Sequence, residues 1–166
     1  MRSLLCMAVL MLVAVSASAQ TSVPLFVIER SINKNVVHYD ARLTPDGKID
    51  PHEPVVAYWV MLAEDGRRED LNWLERTKAY GFSIQPDSRP GAYRMTLAPY
   101  PQRQVSVSQD AGGPKATVEI AGRPAILQKI YIDAVERFGL PTVRYMELFG
   151  RDLRTQKLLS EKITPR

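Results

Sequence analysis

Cysteine is all but missing from the 166 residues: the single one, Cys6, sits inside an apolar block at the start of the chain. The remainder therefore has no disulfide, no thiolate nucleophile and no cysteine-ligated metal. Motifs that dictate a reaction are lacking too. No serine stands in a G-x-S-x-G elbow, and neither of the two histidines lies near a serine in a recognisable setting. Gly112-Gly113-Pro114 leads into a strand pattern rather than a helix, so it is no phosphate loop. The formal net charge of +4 is not concentrated in any run of like charges, which argues against nucleic acid as a partner. Beyond the first residues there is no apolar segment of membrane-spanning length, and the mature chain is expected to be soluble.

The N-terminus has the order of features that secretory processing requires. Arg2 supplies a positive start, Leu4 to Val15 is an apolar block too short for a bilayer, and Ala17-Ser18-Ala19 precedes Gln20 as an A-x-A cleavage site. Residues 1–19 are read as a signal peptide and residues 20–166 as one β-rich domain, exported to the periplasm or secreted. Cys6 lies within the apolar block and not after a cleavage site, so lipid modification is not expected. Without disulfides, stability must come from the core, which suits a bacterial envelope domain of ordinary size.

The pattern after residue 20 is a run of strands. Leu25–Arg30 and Val36–Leu43 flank Ser31 to Asn35, where two asparagines suit the left-handed backbone of a hairpin turn. Thr44-Pro45-Asp46-Gly47 fits a type I turn. Val55–Leu62 is apolar on both alternating faces and is expected to run through the centre of a sheet. In the next segment Asn72 can cap a short helix near residues 72–80 while Glu75 reaches back, and Gly81 offers a left-handed stop. So short a helix must be held by packing, here expected from Trp73, Leu74 and Thr77. Six more strands follow, at 92–97, 103–109, 115–121, 125–134, 143–149 and 158–163, separated by Gly- and Pro-rich turns. The expected fold is all-β and mainly antiparallel, a β-sandwich or flattened β-barrel of about eight to ten strands with one short helix.

Several side chains could carry chemistry. His38 and Asp40 stand two apart on a strand and share a face, as in a metal pair or a carboxylate orienting an imidazole; the alternative is a solvated polar face. Asp46, Asp50, His52 and Glu53 are read as a surface turn, because Lys48 stands where a cation ligand would be needed. No metal or cofactor is expected. Tyr58, Trp59, Trp73 and Tyr80 crowd into one stretch together with Glu75 and Arg76. Aromatic walls with one acid and one guanidinium are common in ligand pockets, and core packing is the competing role. Candidate ligand residues are thus Tyr58, Trp59, Glu75, Arg76 and Tyr80, with His38, Asp40 and Glu75 the weaker candidates for catalysis. Arg94, Arg103, Arg123 and Arg144 come from different strands and could converge on an anion.

The segments FVIERSINKNVVHYDARL, YWVMLAEDGRREDLNWLERTKAYGF, YRMTLAPYPQR, AGRPAILQKIY and YMELFGRDL, taken in order, resemble a family of bacterial exported proteins, domain of unknown function 4833. The resemblance spans residues 25–163. It implies an envelope location and a single β-rich domain, and carries over no catalytic residue. The leading expectation is a binding module for a small ligand, an envelope lipid or glycan, or a protein. The alternatives are a hydrolase or isomerase using a carboxylate or His38, with or without a metal, and an accessory subunit of an envelope complex.

Overall fold

The computed structural model describes residues 21–137 and 140–164; the expected signal peptide and Cys6 lie outside the described residues. Among the described residues, strands β1 (Thr21–Arg30), β2 (Asn33–Leu43), β3 (Val55–Val60), β4 (Arg68–Asp70), β5 (Phe82–Pro86), β6 (Tyr93–Leu97), β7 (Tyr100–Asp110), β8 (Gly113–Ile120), β9 (Arg123–Arg137), β10 (Leu140–Asp152) and β11 (Leu158–Ile163) form one sheet. It is open and curled into a half-barrel. All pairings are antiparallel except the parallel contact of β1 with β9.

The centre of the sheet is β9, not β3. Fifteen residues long, β9 pairs along one edge with β8 through Arg123–Ile126 and then with β1 through Lys129–Ile132, while β10 lines its other edge. The sheet therefore forks at β9 into two arms, one running β1-β2-β3-β4 and the other β8-β7-β6-β5. The arms curl toward each other because each alternates apolar and polar residues with the apolar set facing in. Val37, Tyr39 and Ala41 from one arm meet Met95, Val105 and Val107 from the other in a common core. The buried Tyr39 hydroxyl donates across the interior to the Tyr80 carbonyl at 2.6 Å, and its ring stacks on Phe26. Gln109 joins the arms again, donating to the Gly47 carbonyl and accepting from the Ile49 amide.

β3 is written apolar on both faces for a reason other than centrality. Its inward residues Val55 and Trp59 are core, while outward Val56 is also buried and Tyr58 lies against His38 of β2 and Arg68 of β4. It is one strand from the edge, since β4 beyond it is only three residues long. β4 and β5 were not anticipated: β4 has only three residues, too few for an alternating pattern to register, and β5 ends in Gln85 and Pro86, which read as a turn.

Other local expectations are also corrected. The β1–β2 turn is Ser31-Ile32, and Asn33 pairs with Arg30 inside the ladder. Asn33 and Asn35 keep negative φ and spend their side-chain oxygens on the amides of Asn35 and Ala63. The β8–β9 turn does need left-handed backbone, at Ala121 (φ 51°) and Gly122 (φ 72°). There the Ala121 amide is held by the Glu161 carboxylate at 2.7 Å.

The short helix starts as expected, with the Asn72 side chain accepting from the Glu75 amide at 3.0 Å and Glu75 accepting from the Asn72 amide at 2.9 Å. It does not continue as an α-helix. Glu75–Ala79 is a π-turn in which the Glu75 carbonyl accepts from the amides of Tyr80 and Gly81. Nor is it packed through the residues expected: Trp73 is 76% exposed and Leu74 59%, while Ala79 at its end packs on the core. Buried Leu71 and Tyr80 pin the segment at its two ends instead. Gly81 is required, but not for a left-handed stop; a Cβ there would collide with the Arg76 carbonyl oxygen.

Candidate functional site

The two arms do not close. Past Asp70 the chain leaves the sheet, because the reciprocal Asn72–Glu75 bonds turn it into the helix, and β4 therefore pairs only with Tyr58, Trp59 and Val60. Among the described residues, the edge of β3 over Val55–Ala57 has no partner strand. Across the gap runs the segment Tyr80-Gly81-Phe82 that leads into β5. Between them lies a cleft of about 370 Å³, walled by Val55, Val56, Ala57 and Leu71 on one side and Tyr80, Gly81 and Phe82 on the other.

Charged side chains rim this seam: Arg42, Glu53, Arg68, Asp70 and Arg76. Arg42 is ion-paired with Glu53 near the Val55 end. Arg76 donates through Nε to the Leu71 carbonyl at 2.7 Å and lies 3.9 Å from the Asp70 carboxylate. Arg68 is placed differently. Its neighbour Glu69 pairs with Arg67 and Asp70 faces Arg76, so the Arg68 guanidinium stacks 3.6 Å above the Tyr58 ring with no carboxylate on it among the described residues. The rim therefore carries three guanidinium groups against two carboxylates.

The residues singled out by sequence divide between this cleft and its supports. Arg76 and Tyr80 line it. Trp59 and Tyr80, each 5% exposed, meet edge to face at 5.0 Å, and Arg30 caps them with its guanidinium 4.5 Å from the Trp59 ring. These two aromatics are core, with Tyr80 also showing one side to the cleft. Burial pushes the Tyr80 hydroxyl up, against the pull of Arg30. Glu75 is committed to the Asn72 cap.

Tyr58, on the opposite face of β3 from Trp59, belongs to a separate polar group. Its hydroxyl donates to Asp40 Oδ2 at 2.7 Å, and Ser22 donates to the same oxygen at 3.1 Å. Asp40 is 3% exposed, and its Oδ1 has no hydrogen-bond partner among the described residues. The Tyr58 hydroxyl is pushed up to about 12, by burial first and by the bond to Asp40 next. His38 shares this face, as its spacing predicts, but stacks on the Tyr58 ring at 5.6 Å while Asp40 bonds Tyr58 and Ser22 instead of the imidazole. Among the described residues no group of three metal-ligating side chains forms.

The four arginines considered as an anion site do not converge. Arg103 makes two bonds to Glu161, Arg123 pairs with Asp152, and Arg144 pairs with Asp133 at 2.6 Å. Arg94 stands exposed on β6. Arg42, Arg68 and Asp70 were not singled out, and Glu53 was read only as part of a surface turn, because the seam that assembles them depends on how the arms curl.

The chain is thus an open, curled β-sheet protein with a charged cleft along its seam. It belongs to the family described as Domain of unknown function (DUF4833), whose model matches residues 26–162. No curated protein and no solved structure matches it.

Proposed function

We propose that the domain is an exported binding module whose ligand enters the seam cleft and presents an anionic group to Arg68 and Arg76. The observation that carries this is the pairing pattern at the rim. Arg68 is held in place by stacking on Tyr58 yet carries no carboxylate among the described residues, while the cleft volume falls in the range of small-ligand sites. A guanidinium positioned in this way donates a planar fork suited to carboxylate or phosphate. Export is supported by the Arg2, apolar and Ala17-Ser18-Ala19 pattern.

Scanning fluorimetry tests the proposal with inorganic phosphate, dicarboxylates, acidic sugars and acidic peptides. A ligand at one hundred times its Kd stabilises the folded state by about 2.7 kcal/mol, which is a shift of several degrees. The shift is expected to vanish in Arg68→Ala and to survive in Arg94→Ala. Indifference of the wild-type protein to every anionic probe, or equal shifts in both variants, overturns it.

A further inference from the structure

The free edge of β3 has main-chain groups to offer as well as side chains. Alternate residues of an antiparallel strand point their amides and carbonyls to opposite neighbours. Arg42 donates its amide to the Pro54 carbonyl at 3.1 Å, and Met61 donates to the Arg67 carbonyl at 3.0 Å. Even-numbered residues of β3 therefore face β2, and odd-numbered ones face the β4 side. For Trp59 that side is filled by β4. For Val55, and for the amide of Ala57, it is the cleft: the ladder ends where Leu71 comes opposite the Ala57 carbonyl, and among the described residues no strand pairs beyond it. The opposite wall has little to give: the Tyr80 carbonyl accepts from Tyr39 and the Gly81 carbonyl from the Ala98 amide at 2.8 Å.

We propose that an extended peptide bearing an acidic side chain adds to this edge as a short strand, bonded through its main chain to Val55 and Ala57, with its carboxylate on Arg68. This rests on the binding reading above and names the ligand class. An open edge is a pairing template. Here it faces the Tyr80-Gly81-Phe82 segment across the cleft. The walls supply contacts for the side chains that alternate with the main-chain bonds, through Leu71, Tyr80 and Phe82. Charge selects the peptide: with Glu53 and Asp70 matched to Arg42 and Arg76, a basic peptide meets no free acid, whereas an acidic one completes Arg68.

The test uses the isotopically labelled full domain and a positional-scanning mixture of acetylated, amidated hexapeptides. The best acidic peptide is then compared with a copy N-methylated at alternate residues, a copy with lysine for the acid, and inorganic phosphate. The expected result is a shift and slowed exchange of the Val55 and Ala57 amides. N-methylation that removes even one main-chain bond should weaken Kd by at least about fivefold. The lysine copy should bind more weakly still, and Arg68→Ala should erase the difference between acid and lysine. Ala57→Pro deletes one donor at an edge position that tolerates proline and should weaken the peptide without altering phosphate. Equal affinity of the N-methylated and parent peptides, or phosphate binding at Arg68 with no peptide bound, overturns strand addition and leaves the anion site standing. No binding by any probe removes both.

Discussion

Tyr58→Phe separates the structural from the functional account of the most conspicuous sequence candidate. Phenylalanine keeps the ring between His38 and Arg68 and removes only the hydroxyl, which donates to Asp40 Oδ2 at 2.7 Å. Asp40 is buried and already has one oxygen without a partner, so the substitution leaves the carboxylate with Ser22 alone. A hydrogen bond to a charged group contributes about 1.5–3 kcal/mol, and little of this is recovered where water has poor access. With a urea dependence of about 2 kcal/mol per molar, the unfolding midpoint should fall by roughly 1 M at unchanged slope. Asp40→Asn weakens the same bond, so the double variant should lose clearly less than the sum of the single losses. The pH dependence carries a second signature. The folded-state Tyr58 value of about 12 lies above the ordinary value of 10, so its contribution is complete below pH 10 and is lost as pH rises toward 12. Removing the hydroxyl should flatten that alkaline decline. A midpoint within about 0.2 M of wild type, with the decline intact, refutes the reasoning.

Gly81→Ala places a Cβ on the Arg76 carbonyl and should cost about 3–4 kcal/mol in chemical denaturation, near the upper end for one substitution. Trp73→Ser, by contrast, should change stability by less than about 0.5 kcal/mol, since the ring is exposed. Ala121→Gly relieves a left-handed backbone while loosening the unfolded chain, for a net gain of about 0.5–1 kcal/mol measured by the same assay. Glu161 is held below the ordinary carboxylate range by the two bonds from Arg103 and by the Ala121 amide, against its partial burial. Its contribution is therefore present above about pH 4.3 and lost as pH falls through the lowered folded-state value; Glu161→Gln should be less stable at neutral pH and have a shallower acid transition.

Local rules were legible wherever neighbours in sequence are neighbours in space. The Thr44–Gly47 turn closes with the Gly47 amide on the Thr44 carbonyl at 2.9 Å, the Asn72–Glu75 cap forms, and β7 and β8 alternate as their polar residues require. Where two physical causes write the same letters, sequence was ambiguous. Apolar residues on both faces of β3 read as a central strand, but the outward ones serve a polar cluster and an edge. Trp73 and Leu74 read as a packing face, but the π-turn is anchored from Leu71 and Tyr80 on either side of it.

The Pro54–Phe82 stretch by itself thus determined a strand, a turn, a capped helical turn and a place to look for a site, all set by local backbone preferences and side-chain period. Tertiary structure decided what the stretch does. The fork at β9 sets two arms face to face, and the cap at Asn72 pulls the chain off β3 before the edge is covered. The seam that results gathers Arg42, Arg68 and Arg76 around main-chain groups of Val55 and Ala57, a juxtaposition that depends on the curl of the whole sheet and leaves no mark in local spacing.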